Sequence, residues 1–247
     1  MASILTIDIG NTNITLGVFN KTLLLGHFAI PTNTKTYFLA LKKIVNKYKI
    51  KDSILCSVVP KTTKIISRDL VKLINKKPLI IGKDILVPIK NNYRKPNQVG
   101  QDRLVNAYAG VKLYGAPLIA IDFGTAITFD IISKDGVYQG GIILPGLLIS
   151  LEALSSRTAL LPKIKLAAAK EFIGKDTKNS MLSGIVYGFA AMTEGLIIKL
   201  KKKLGSSTKV IVTGGNSNLI SKHCLDINYT DPLLTLKGIN LIYKKIS

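Results

Sequence analysis

Two stretches of this chain nearly repeat each other. Residues 4–16 read ILTIDIGNTNITL and residues 118–129 read LIAIDFGTAITF. With Asn11 skipped they align: Ile7 with Ile121, Asp8 with Asp122, Gly10 with Gly124, Thr12 with Thr125, Ile14 with Ile127 and Thr15 with Thr128. Each is an apolar run that ends on Asp, turns on Gly and offers hydroxyls before more β-prone residues, which is the pattern of a β-hairpin. A Gly at such a turn lets the backbone come close to a ligand, because no Cβ stands in the way. Exposed N–H groups and hydroxyls there can cradle a phosphate, and the Asp can hold its cation. Two such hairpins, nearly half a chain apart, predict a duplicated domain with a nucleotide in the cleft between the halves.

The length allows this. The chain has 247 residues, 47% of them hydrophobic, with a mean hydropathy of +0.30. Each half can therefore build its own core. The expected division is 1–115 and 116–247, each with a β-β opening followed by interleaved helices and strands, an α/β class with mixed sheets. In the first half strands are expected at Ile4–Ile9, Asn13–Phe19, Leu23–Ala29, Ile54–Val58 and Pro78–Ile81, with helices through Phe38–Tyr48, Thr63–Ile74 and Leu104–Leu113. In the second, a Gly-rich turn is expected at Gly140–Gly141 and a stop at Pro145–Gly146. Helices follow through Leu147–Leu154 and Met181–Leu204, then a strand at Lys209–Thr213, and Gly214–Gly215–Asn216 opens a last turn and helix.

Met1 runs directly into the first strand, so no signal peptide is expected. Met181–Leu200 is apolar enough to test as a membrane span. It carries Glu194, Lys199 and the small residues Gly184, Gly188, Ala190, Ala191 and Gly195, and reads instead as a buried or interface helix. Cys56 and Cys224 are too few for a disulfide framework, which fits a reduced, cytoplasmic setting. The net charge is +21, from 35 Lys and Arg against 14 acids. A nucleic-acid partner is the first thought, but the basic residues are scattered and mostly Lys. Only Arg68, Arg94, Arg103 and Arg157 are Arg, and Trp is absent. Arg is the usual reader of base edges, and stacking needs aromatic side chains. The lysines read as solvated faces and helix C-termini. No nucleic-acid partner is expected, and attraction of anionic small substrates is the milder consequence of the same field.

Three further constellations carry chemistry. Gly100–Gln101–Asp102–Arg103 is either a helix cap with its charge partner or a general base held ionised by nearby positive charge, with Arg103 free to fork onto a carboxylate. Gly174–Lys175–Asp176–Thr177 is a loop and cap, or part of a binding site, and Tyr93 in the Asn-rich loop is equally open. His27 and His223 stand alone, and no G-x-x-x-x-G-K-[ST] phosphate loop is present.

Taken in order, these residues resemble a known family. Asp8-x-Gly-Asn-Thr, Ser57–Val–Val–Pro60, Gly100-x-Asp-Arg, Asp122-x-Gly-Thr-Ala, Gly140–Gly141 with Pro145–Gly146, Arg157–Thr–Ala, Gly174–Lys–Asp–Thr177, Thr213–Gly–Gly215 and Leu236–Lys–Gly238 together look like type III pantothenate kinase, over essentially the whole chain. The resemblance implies two ribonuclease-H-like, actin-like ATPase domains and phosphorylation of pantothenate by ATP at the head of coenzyme A synthesis. It implies that Asp8, Ile9, Gly10, Asn11, Thr12, Asn13, Ile14 and Thr15 line the ATP phosphates, with Thr125 from the second hairpin and Asp8 near the Mg²⁺ of MgATP. Asp102 would be the general base. Tyr93, Gly100, Gln101, Asp102, Arg103 and Thr177 would hold pantothenate, and Asp122 a required potassium or ammonium ion. A homodimer is implied too, with Met181–Leu200 a candidate for its packing. Two departures stand out. The family often has Lys at the position of Thr15, so Lys21 or another lysine would have to supply that charge. Gln101 stands where a small or apolar residue is frequent. A transcriptional accessory factor, invited by the charge, and another sugar or acid kinase of the same superfamily are the competing readings.

Overall fold

The two hairpins pair residue for residue as the repeat predicts. In the computed structural model, which describes residues 3–34 and 36–246, strand β1 (Ser3–Ile9) runs antiparallel to β2 (Asn13–Asn20). Asp8 stands opposite Thr15 and Ile9 opposite Ile14. Met1, where the leader question was posed, lies outside the described residues. β3 (Leu23–Pro31) completes the antiparallel set and helix α1 (Phe38–Tyr48) follows. β4 (Ile50–Ser57) then enters beside β1 in parallel, with Asp8 level with Cys56. Helix α2 (Pro60–Ile74) begins with Pro at its first position, where its missing N–H costs nothing. It ends at Asn75, which takes the left-handed conformation. β5 (Leu79–Ile80) closes the sheet in the order β3-β2-β1-β4-β5.

Helix α3 (Gln101–Tyr114) leads to the second repeat. β6 (Leu118–Phe123) and β7 (Ala126–Ile132) form the second hairpin, with Asp122 opposite Thr128. The aligned pairs Asp8/Asp122 and Thr15/Thr128 therefore hold equivalent places in their ladders. β8 (Tyr138–Pro145) is next. It corrects one expectation: Gly140 and Gly141 do not form a turn but lie inside this strand, opposite Ile131 and Asp130, next to a register shift that leaves Gln139 without a ladder partner. Helices α4 (Leu147–Arg157) and α5 (Thr177–Leu204), strand β9 (Lys209–Thr213), the short α6 (Ser217–Ser221), β10 (Tyr229–Thr230) and α7 (Leu234–Lys244) complete the chain. The second sheet runs β10-β9-β6-β7-β8. Read from its other edge it repeats the first: three antiparallel strands, then two added in parallel. This is the duplicated ribonuclease-H-like α/β arrangement.

The chain divides into two compact units. The first runs to Ile89, takes in Arg94–Ala109 and closes with the segment from Leu234; the second is Lys90–Tyr93 with Gly110–Leu233. Helix α7 follows the second repeat in sequence but packs on β1, β2 and β4. Leu236, Ile239 and Ile242 are buried on one of its faces. The core of the first unit joins Leu5, Ile7, Ile9, Ile14 and Leu16 to Leu41, Ile44, Ile66 and Leu70 of α1 and α2. That of the second joins Ile119, Ile121, Phe123, Ile127 and Phe129 to Leu147 and Leu151 of α4 and Met181, Ile185, Ala190 and Ile197 of α5. Helix α5 is long and apolar enough to cross a membrane by length and composition, with 44% of its most apolar window buried. That buried side is the one packed into the second core.

Candidate active site

In the first unit, Asp8 sits one residue before the end of β1, half-buried, with Thr15 across one ladder and Cys56 across the other. The turn that follows is pinned from several directions. Gly10 N–H donates to Asn13 O at 3.0 Å, Thr32 Oγ1 donates to Gly10 O at 2.7 Å, and Thr32 N–H donates to Thr12 O at 2.9 Å. Val58 N–H donates to Ile9 O at 3.1 Å. Asn11, Thr12 and Asn13 are exposed at its tip. Ile9 and Ile14 are wholly buried beneath it and can offer a ligand only main-chain atoms. Thr15 lies on the turn side of β2. Lys21 does not make up for the lysine missing there: it follows Asn20 at the opposite end of the strand, six residues away, about 20 Å along the chain.

Asp102 stands in the first turn of α3, where a negative charge is favoured by the helix dipole. Its Oδ1 accepts from Arg103 N–H at 2.9 Å. Gly100 lets the carboxylate lie back over the main chain, since a Cβ there would stand 2.4 Å from Asp102 Oδ1. Burial pushes the Asp102 carboxyl above the ordinary aspartate range, against the opposing effects of the Arg103 N–H and guanidinium. Arg103 is itself buried. The side chain of Gln101 turns back onto Gly82, where a Cβ would come within 2.7 Å of Gln101 Cδ. Cys56 ties the group together. It is wholly buried, and its thiol is pushed well above its usual range by burial first, then by the charges of Asp8 and Asp102. Asp8 and Asp102 thus both bear on one buried sulfur, which stays a neutral thiol.

In the second unit, Asp122 closes on its own turn. Gly124 lies 3.2 Å from Asp122 Oδ1, measured from the position a Cβ would take, and Gly214 only 2.3 Å. Gly214 has φ +90°, a conformation that favours glycine. Gly146, the N-cap of α4, rests against the Thr125 carbonyl, and Asn216 N–H donates to Phe123 O at 3.2 Å. The Asp122–Thr125, Pro145–Gly146 and Thr213–Gly215 motifs, far apart in sequence, therefore meet at one place. Tyr93 is held at the edge of the same unit: its N–H donates to Asn91 Oδ1 at 2.9 Å, and its ring lies against Gly140 and 6.4 Å from that of Tyr138. Thr177 opens α5, exposed, directly after the N-cap Asp176, whose Oδ1 accepts from Asn179 N–H at 2.8 Å.

Two neighbours of these residues were not singled out from the sequence as site residues. Cys56 gave no signal, being one more apolar position in a strand. Thr213 did: it is the polar residue that ends the apolar run of β9, and it lies level with Asp122.

The donor set around Asp122 suits a weakly charged ion. It offers the Asp122 carboxylate, with Thr128 and Thr213 on either side in the ladders and turn carbonyls close by. The buried Asp130 carboxylate, next along the face, is taken up by the Thr128 and Tyr138 hydroxyls. Oxygen ligands of this kind favour hard cations. Among the described residues no three His, Cys, Asp or Glu side chains gather to hold a metal ion. A single carboxylate among neutral oxygens fits a monovalent cation better than a divalent one held by protein alone.

Comparison with known proteins decides the family. Residues 4–199 match the family model of type III pantothenate kinase. A type III pantothenate kinase of Persephonella marina is 44% identical over 250 aligned residues, covering 97% of this chain and 98% of that one. The enzyme of Listeria monocytogenes is 40% identical over 98% of this chain and 97% of its own. The chain belongs to the type III pantothenate kinase family.

Solved structures agree on the fold. A putative Baf family transcriptional activator from Campylobacter jejuni aligns with a TM-score of 0.58 at 20% identity, over 98% of both chains. A ROK family glucokinase from Streptomyces griseus, solved with glucose and AMPPNP, aligns with a TM-score of 0.54 at 13% identity, over 98% of this chain and all of its own. The chain thus shares its duplicated α/β fold with a sugar kinase, as the family resemblance implies.

Proposed function

We propose that this chain transfers the γ-phosphoryl group of ATP to the primary hydroxyl of pantothenate with Asp102 as general base, the first step of coenzyme A biosynthesis. Asp8 and the 9–15 turn take the phosphates of MgATP, with Thr125 contributing from the second hairpin. Tyr93, Gly100, Arg103 and Thr177 hold pantothenate. The observation that carries the reading is the pairing of Asp8 with Asp102 around Cys56, a phosphate-side carboxylate and a base-side carboxylate in one unit. A carboxyl raised by burial is a stronger base than an exposed one. It accepts the hydroxyl proton as the oxygen attacks phosphorus in line.

Phosphoryl transfer asks little covalent chemistry of a protein, so positioning and charge stabilisation supply most of the rate. Main-chain N–H groups of the first turn supply part of that. Mg²⁺, carried with the ATP and met by Asp8, and a potassium or ammonium ion at Asp122 supply positive charge when bound. The Gln101 side chain is turned onto Gly82, so its main chain is what remains for the substrate.

The working unit is a homodimer. The face of α5 that carries Gly184, Gly188 and Ala191 is exposed, and Gly184, Gly188 and Gly195 have open space where a Cβ would go. Both cysteines are free thiols, which fits a cytoplasmic protein.

The experiment is ADP release from MgATP with and without pantothenate, in potassium, in ammonium and in sodium alone. Pantothenate-dependent release that needs potassium or ammonium is the expected result. A folded protein that releases no ADP in response to pantothenate in any of these salts overturns the assignment.

A further inference from the structure

Thr213 ends β9 level with Asp122 in the parallel ladder, so the two side chains leave the sheet on the same face. The intervening residues Ile121, Phe123, Val210 and Val212 alternate to the other face and fill the core of the second unit. Thr213 is 1% exposed, and its Oγ1 has no hydrogen-bond partner. A buried hydroxyl left in that state carries its full desolvation penalty, and native proteins seldom leave one so. On the other side of Asp122, Thr128 is differently placed: its Oγ1 donates to Asp130 Oδ2 at 3.3 Å. Gly214, held at φ +90°, brings the main chain just after Thr213 onto the Asp122 carboxylate. An unpaired hydroxyl oxygen, a carboxylate and a turn main chain therefore converge at one corner of the sheet.

We infer that Thr213 Oγ1 is a ligand of the monovalent cation, sharing the ion with Asp122. This rests on the reading that Asp122 holds potassium or ammonium. A neutral hydroxyl oxygen suits either ion, as a coordinating donor to potassium or as an acceptor from ammonium. It adds no charge, which keeps the site matched to a single positive charge. Valine fills the same volume as threonine, so the hydroxyl alone carries the role.

The test is thermal unfolding of the full chain with Mg–AMPPNP and pantothenate present, with KCl or NH₄Cl titrated against NaCl at constant ionic strength. The proteins are the unsubstituted chain, Thr213→Val, Thr213→Ser and Asp122→Asn. A ligand that binds only the native state stabilises it by RT ln(1 + c/Kd) at free concentration c, so the rise of melting temperature with ion concentration yields the Kd, the midpoint of binding. The expected result is a potassium midpoint raised about tenfold in Thr213→Val, roughly the worth of one charge-assisted hydrogen bond. Thr213→Ser stays near the unsubstituted midpoint, and Asp122→Asn loses the response. In sodium alone Thr213→Val melts no lower than the unsubstituted chain, because it buries no unpaired hydroxyl. An unchanged midpoint in Thr213→Val, with the response lost in Asp122→Asn, overturns the role of Thr213 and leaves the cation at Asp122 standing. No potassium or ammonium response in the unsubstituted chain overturns both.

Discussion

The Asp102 carboxylate occupies the space that a side chain on Gly100 would need: a Cβ there would stand 2.4 Å from Asp102 Oδ1. Gly100 is therefore required by a close approach and not by an unusual φ. Gly100→Ala is expected to push the carboxylate aside while leaving α3 and its packing in place. Misplacing a reacting group by about 1 Å can cost on the order of 10²-fold in rate. Steady-state kinetics should show kcat down by at least about tenfold, with circular dichroism and melting temperature close to the parent. Full activity in this variant would mean that the carboxylate position does not matter to catalysis.

Burial raises the folded-state pKa of Asp102, and this gives the group a signed effect on stability. Between the ordinary aspartate value, about 3.9, and the raised folded value, the native state binds more protons than the unfolded chain. Stability therefore falls as pH rises through that window, and the penalty is fully present above it. Asp102→Asn removes the charge and keeps an oxygen to accept from Arg103 N–H. It should melt higher than the parent at neutral pH, by about 2–4 °C for each kcal/mol relieved in a chain of this size. The difference should vanish below about pH 4. Turnover should fall by roughly 10²-fold or more. A variant that loses activity without gaining stability at neutral pH would show that Asp102 is not held at a cost.

The hairpins and their register were legible because a β-ladder writes itself into sequence at period two, and the repeat wrote it twice. Asp8 opposite Thr15 and Asp122 opposite Thr128 follow from the alignment alone. Gly140–Gly141 misled because two adjacent glycines look the same in a turn and in a strand next to a register shift. The two-residue β10 is too short to show a period, and nothing in α7 says which sheet its apolar face will meet. In the site, Asp102 and Asp122 stood out by their glycine-marked settings. Cys56 did not, since its place between two carboxylates exists only once β4 lies beside β1 and α3 begins nearby. The contact of Gln101 with Gly82 joins the start of α3 to the loop after β5 and has no local signature.

Gly214 and Gly215 are neighbours with opposite tolerances. Gly214 has φ +90°, and a Cβ on it would stand 2.3 Å from Asp122 Oδ1 and 2.7 Å from the Phe123 carbonyl carbon. Gly215 has no heavy atom within 4 Å of that position. Gly214→Ala should cost on the order of 1–3 kcal/mol from backbone strain alone and weaken the dependence of activity on potassium or ammonium. Gly215→Ala should change stability by no more than about 0.5 kcal/mol. Denaturant unfolding of both, with activity in potassium against sodium, checks the contrast. Equal tolerance at the two positions would separate Gly214 from the Asp122 site.

The open glycines of α5 make the homodimer testable without damage to the single chain. A side chain at Gly188 meets nothing within 4 Å, and Gly in a helix interior costs about 0.5–1 kcal/mol relative to Ala. Gly188→Ala should therefore leave each chain as stable or more so. Gly188→Arg should fold equally well yet prevent close approach of a second helix, because small residues are what let helix backbones meet. Large apolar side chains stand exposed just before the same helix: Phe172 is 70% exposed and Ile173 75%. That is surface a second copy would cover. Light scattering should give the parent twice the 26.8 kDa chain mass and Gly188→Arg a single chain. If Thr177, at the start of α5, binds pantothenate only within the dimer, the same substitution should raise the pantothenate KM more than the ATP KM. A Gly188→Arg protein that stays dimeric assigns the contact to another face.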